Sequence, residues 1–155
     1  MNSLHGSDIN QEESSLKRKV LFDINVLLDV IENRVPHIAH SGPALHSAEK
    51  GEIQGYIAAS SVDTLAFLIR KSSSIATTYS VLTHLLQILD VLPVDKSIIS
   101  TAIAAKWDDP EDAILYYTAI SGKCDYLLTR NERDFDLKSS DITVLSPEKY
   151  LKGHN

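Results

Sequence analysis

Apolar residues run from Val20 to Ile31 with interruptions at Asp23, Asn25 and Asp29. The opening part, KVLFD, has the short continuous apolar character of a buried strand, and NVLLDVIEN continues at helical spacing through Val26, Leu27, Val30 and Ile31. The strand-to-helix boundary therefore falls at Asp23 to Asn25. Further on, PALHSAEKGE predicts a helix ending near Gly51, IQGYIAAS a second strand, and VDTLAFLIRK a helix capped by Ser60 and Ser61. The longest periodic segment, SSIATTYSVLTHLLQILD, leads into a short strand, VLPV, after which Asp95 is placed to cap KSIISTAIAAKW. DDPEDAILYYTAISGK carries the clearest helix punctuation, with Asp109 at the N-cap, Pro110 at the first helical position, acids in the first turn and Gly122 just past the end. DYLLTR then predicts a strand, NERDFD a loop or helical turn, ITVL a last strand, and SPEKYL a capped terminal helix.

Strands alternating with helices predict an α/β fold, a three-layer α/β/α sandwich with a mostly parallel central sheet. Such sheets bind ligands at the carboxyl ends of their strands, near the point where strand order reverses. Asp23 closes the first strand, Asp112 sits in the first turn of the PEDAILYYTA helix, and Asp134 follows LLTRN after a later strand. The alternating topology brings strand ends and helix starts to one rim. A carboxylate inside an apolar run needs a partner, a boundary or a cation, because an unpaired buried charge costs several kcal/mol. Hard divalent ions such as Mg2+ and Mn2+ take oxygen ligands, and Mg2+ keeps several waters beside only a few carboxylates. The pattern suits a metal site built without His or Cys.

Length and composition narrow the setting. A chain of 155 residues, 43% hydrophobic and 23% charged, fits one domain over residues 19–155 behind a polar N-terminal tail at residues 1–18. The single Cys124 excludes an intramolecular disulfide and a thiolate cluster, which makes a reducing cytoplasm the expected location. No apolar run approaches the roughly 20 residues of a membrane span, and the first residues lack the apolar core of a signal peptide. A net charge of -6 argues against a broad basic face for gripping nucleic acid. Divalent cations held by clustered acids would offset part of that charge.

LFDINVLLDV, DPEDAILYYTA and DYLLTRNERDF, with ITVLSPEKYL at the end, resemble the PIN domains, metal-dependent nucleases that include the VapC-like toxin ribonucleases of bacterial toxin–antitoxin pairs. The likeness runs in order from about Val20 to Leu151. It implies that Asp23, Asp112 and Asp134 bind Mg2+ or Mn2+ and are catalytic, with Asn25 supporting the first turn and Asn131 shaping the last; Thr129 and Glu111 are further supporting candidates. It also implies an RNA substrate, an antitoxin partner and a homodimer. At one place the chain departs from the family, which commonly has a Glu early in the helix after the second strand. In SSVDTLAFLIRK the only carboxylate is Asp63, and helix phase puts the family's acid at Asp63 or its neighbour Thr64. That one-residue offset turns a side chain by about 100°.

Each acid also has a plainer role. Asp23 stands where a helix N-cap would, Asp112 could serve the dipole of its helix, and Asp134 alone would be an ordinary turn residue. Asp29, Asp108, Asp109 and Asp136 are expected at the surface or in caps, and the histidines, including His37, His40 and His46, lack zinc-helix spacing. Tyr116 and Tyr117 fall on a helix that is apolar almost all round, which favours core packing. Arg70, Lys71, Arg130 and Arg133 are the candidate phosphate contacts, with a solvated basic face as the alternative. Two other functions compete with nuclease activity. One is a non-catalytic PIN-like module that binds RNA or protein; the other is a phosphotransfer domain with Asp23 as nucleophile, which would need a Lys and a Ser or Thr near the same rim, and only Lys123 and Thr129 are at hand.

Overall fold

The computed structural model describes residues 17–135 and 141–153. Asp136, His5, His154 and nearly all of the expected N-terminal tail lie outside the described residues. The strands are β1 (Lys19–Phe22), β2 (Gln54–Ala58), β3 (Asp90–Leu92), β4 (Tyr126–Leu128) and β5 (Thr143–Leu145). They form one sheet in the order β3-β2-β1-β4-β5. Every pairing is parallel, so the sheet is parallel throughout. Strand order reverses between β1 and β4, where Phe22 lies opposite Leu128. That is the position at which an open α/β sheet leaves a crevice.

The side-chain alternation of the strands builds two cores. Val20, Phe22, Ile57 and Leu128 point into one, where they meet Leu27 of α1 (Ile24–Ile31), Leu45 of α2 (Ile38–Glu49), Leu65 of α3 (Ala59–Ser72), Leu85 of α4 (Ile75–Ile88) and Tyr150 of α7 (Pro147–Gly153). Leu21, Ala58, Leu127 and Val144 point into the other, against Leu115, Tyr116 and Ala119 of α6 (Pro110–Ser121). Helix α5 (Lys96–Ala105) packs on α6. A sheet buried on both faces explains why strands such as KVLF read as continuous apolar runs rather than as an alternation. The result is the expected α/β/α sandwich.

Several local expectations need correction. Helix α2 starts at Ile38, not at Pro43, which sits inside it. The ring lacks one backbone donor and faces solvent, so the helix tolerates it at the expense of one hydrogen bond. Helix α3 follows β2 without a loop, with Ala58 at the N-cap and no capping side chain; Ser60 and Ser61 lie in its first turn. Gly122 does stand just past the end of α6, as the sequence predicts, with a φ of -76°, and Lys123 after it takes the left-handed φ of 56°. A side chain at Gly122 would come within 2.7 Å of Leu92 Cδ1, so close packing against β3 explains this glycine. Asp109 and Asp95 cap their helices as the sequence predicts: Asp109 Oδ1 accepts from the amides of Glu111 at 2.9 Å and Asp112 at 3.2 Å, and Asp95 Oδ1 from that of Ile98 at 2.9 Å.

Candidate acidic site

Asp23 occupies the N-cap position of α1, yet its side chain makes no capping hydrogen bond. Instead Oδ2 accepts from the Thr129 hydroxyl at 2.8 Å and from Asn25 Nδ2 at 3.3 Å. Thr129 is fully buried at the end of β4, and its amide donates to the Leu145 carbonyl of β5. Asn25 also binds Thr129 Oγ1 and accepts from the Arg130 amide through Oδ1. The carboxylate is thus held by the ends of the two strands that flank the switch point. Burial raises its pKa, while the Thr129 hydroxyl, the nearby amides of Ile24 and Asn25 and the charge of Arg130 oppose the rise.

Asp112 is placed by the Asp109 cap and by Pro110, which start α6 at a defined point. Its pKa is raised to about 7, first by burial and then by the negative charges of Asp109, Asp23, Asp134 and Glu111. Residues from β1, α6 and the turn after β4 therefore share one electrostatic environment. Asp134 is exposed on a 3-10 turn, Glu132–Asp134, whose amide-to-carbonyl bond returns to Asn131. Phe135, buried beside Trp107 with ring centroids 5.9 Å apart, pins that turn to the second core. Asn131 contributes through its backbone, donating to Thr129 Oγ1 at 3.1 Å.

A cleft of about 220 Å3 lies between these acids and α3, lined by Asp23, Glu111 and Asp112 on one side and Ser60, Ser61 and Thr64 on the other. Asp63 is not in it. That carboxylate faces a separate groove of about 330 Å3 between α3 and α4, with Phe67, Arg70 and Tyr79. The helix offset is decisive: the cleft receives Thr64, and the α3 wall offers hydroxyls in place of a carboxylate. Ser60 and Ser61 were expected only as caps, and no spacing in the sequence singles them out as cleft residues. Arg70, Lys71 and Arg133 are exposed, Arg70 in the Asp63 groove and Arg133 on the turn with Asp134.

Asp29, expected at the surface or in a cap, is completely buried. Its Oδ2 accepts from Ser41 Oγ at 2.8 Å and lies 3.0 Å from Arg130 Nε. The Arg130 contact is an ion pair without hydrogen-bond alignment, and Asp29 Oδ1 has no hydrogen-bond partner. Arg130 Nη1 is 3.4 Å from His37 Nε2. Helical phase carried the signal that Asp29 faces inward, since it lies three positions after the buried Val26. Lys123, by contrast, precedes β4 and so stands at the amino ends of the strands, opposite the carboxyl ends where Asp23 lies, which removes the lysine a phosphotransfer site would use.

The donor set of Asp23, Asp112 and Asp134 is all oxygen and negatively charged, which fits a hard divalent cation. Among the described residues no three His, Cys, Asp or Glu side chains are drawn onto one point as they stand. The family model for the PIN domain matches residues 19–133. No curated protein matches the chain significantly. Among solved structures, the chain is similar to a toxin-antitoxin complex from Klebsiella pneumoniae, at 23% identity and a TM-score of 0.62 over 83% of this chain and 97% of that one. It is also similar to VapBC2 from Rickettsia felis bound to a DNA fragment from their promoter, at 12% identity and a TM-score of 0.61 over 81% of this chain and 96% of that one. At these identities the likeness is one of fold.

Proposed function

The chain belongs to the PIN domain family, and from that premise we propose that it is a Mg2+- or Mn2+-dependent endoribonuclease, the toxin of a toxin–antitoxin pair. The observation that carries this reading is the single cleft that Asp23, from the end of β1, and Asp112, from the first turn of α6, line together, with Asp134 near enough for its charge to be felt there. Asp23, Asp112 and Asp134 would hold the cation, which when bound supplies a Lewis acid and lowers the pKa of coordinated water. Thr129 and Asn25 hold Asp23 Oδ2 in a fixed orientation, so that carboxylate is set in place before substrate arrives. Asp112, its pKa raised to about 7, is partly protonated near neutral pH when the acids stand alone, and a bound cation would favour its ionised form. Glu111 stands exposed in the same cleft, and the hydroxyls of Ser60, Ser61 and Thr64 face the acids as donors for a phosphate oxygen.

An antitoxin partner is supported by the two solved complexes and by an apolar groove of about 360 Å3 between α1, α2 and α4, where Val30, Ile31, Leu45, Val81 and Ile88 offer a seat for an amphipathic helix. The reaction is tested with purified protein and a structured RNA. Mn2+-dependent cleavage that disappears in Asp23→Asn, Asp112→Asn and Asp134→Asn is the expected result, and equal cleavage by all three variants would overturn the assignment. A second reading, a non-catalytic PIN-like module that binds RNA or protein, is favoured by the hydroxyl wall where Asp63 fails to reach the cleft. Cation binding with no cleavage would select it.

A further inference from the structure

A second cavity, about 200 Å3, opens at the same end of the sheet. It is lined by Arg130 after β4, by Ser146 and Glu148 after β5, and by His37, His40 and Ser41 at the head of α2. Arg130 is the chain neighbour of Thr129, whose hydroxyl holds Asp23, so one wall of this cavity and the support of the acidic site both stand at the end of β4. Two features make it a poor phosphate site. The charge of Arg130 is already matched by buried Asp29 at 3.0 Å, and Glu148 adds a carboxylate to the wall.

The same groups suit a nucleobase. Guanidinium and imidazole planes stack on bases, and single-stranded RNA is read by such stacking together with hydrogen bonds to base edges. Ser41 is buried and its Oγ donates to Asp29, whereas Glu148 presents an exposed carboxylate that accepts side by side. Glu148 pairs with the exposed Lys152 at 2.7 Å, a surface pair that yields readily, and His40 and Lys149 add positive charge nearby. Resting on the ribonuclease reading, we propose that this cavity is a nucleobase subsite for single-stranded RNA with a preference for guanine, whose Watson–Crick edge presents two adjacent N–H donors to Glu148 while His37 and Arg130 provide the stacking planes.

The test uses the full chain in chelator, where no cleavage competes, and RNA pentamers with uridine at every position except the centre, which carries G, A, C or U in turn. Fluorescence anisotropy is expected to show the guanine pentamer bound at least tenfold more tightly than the other three. Glu148→Ala should erase the difference, and His37→Ala should weaken all four by several-fold, each with an unchanged melting temperature because both side chains are exposed. Four pentamers bound within twofold of one another, no binding at all, or a guanine preference that survives Glu148→Ala would overturn the proposal. Cleavage of the same RNAs with Mn2+ is scored separately. A protein that prefers guanine but never cleaves keeps the subsite and loses the ribonuclease reading, whereas one that cleaves but binds all four alike keeps that reading and loses the subsite.

Discussion

Asp112 has the most displaced carboxyl at the candidate site, and its displacement has a defined sign. With a pKa of about 7 in the folded chain against an ordinary value of 3.8, it takes up a proton on folding at intermediate pH. The associated stability is fully present below the ordinary value and is lost as pH rises through about 7. Burial pushes Asp23 in the same direction. In chelator, the melting temperature of the wild type should therefore fall as pH is raised from about 5 to about 8. Asp112→Asn should flatten that slope and melt higher at the alkaline end, because the amide neither titrates nor repels the neighbouring acids. Thermal melts across this range check the point, and parallel curves for the two proteins would mean that Asp112 does not feel the other carboxylates. At this scale the sequence marked Asp23, Asp112 and Asp134 but misjudged Asp29. Nothing in composition separates a carboxylate that faces a cleft from one paired inside the core.

Buried Asp29 belongs to the scale of elements, since through Ser41 and Arg130 it ties α1 to α2 and to the turn leaving β4. Removing one partner of a buried pair costs about 3 to 5 kcal/mol, because the remaining charge stays desolvated. Asp29→Ala should lose roughly the lower end of that range, since Arg130 keeps some contact with solvent; urea denaturation measures it, and a loss under about 1 kcal/mol would show the pair to be incidental. Arg130→Met in the Asp29→Ala background should recover part of the loss. Most elements were legible in the sequence because their punctuation is local. Asp95 and Asp109 cap, Pro110 starts α6, and the apolar period sets α4. What the sequence hid depends on junctions. Because α3 begins directly at the end of β2, the expected cap serines become cleft residues, and the same junction sets the rotation that puts Thr64 in the cleft and Asp63 in the groove between α3 and α4.

Over the whole molecule, an all-parallel sheet with its order reversing between β1 and β4 collects acids from distant segments at one rim of a chain whose net charge is -6. Such a rim is repulsive when bare. Two unit charges about 5 Å apart at an effective dielectric near 20 repel by roughly 3 kcal/mol, less where water screens them. A cation removes that repulsion and, if it binds only the folded chain, stabilises by about 2.7 kcal/mol at a hundredfold excess over its dissociation constant. The central claim is that Asp23, Asp112 and Asp134 act as one cation site, and calorimetric titration of Mn2+ into the wild type and into Asp23→Asn, Asp112→Asn and Asp134→Asn tests it most directly. Saturable binding by the wild type, weakened at least tenfold in each variant, is the predicted result. Unchanged affinity in all three, or no saturable binding by the wild type, would contradict it.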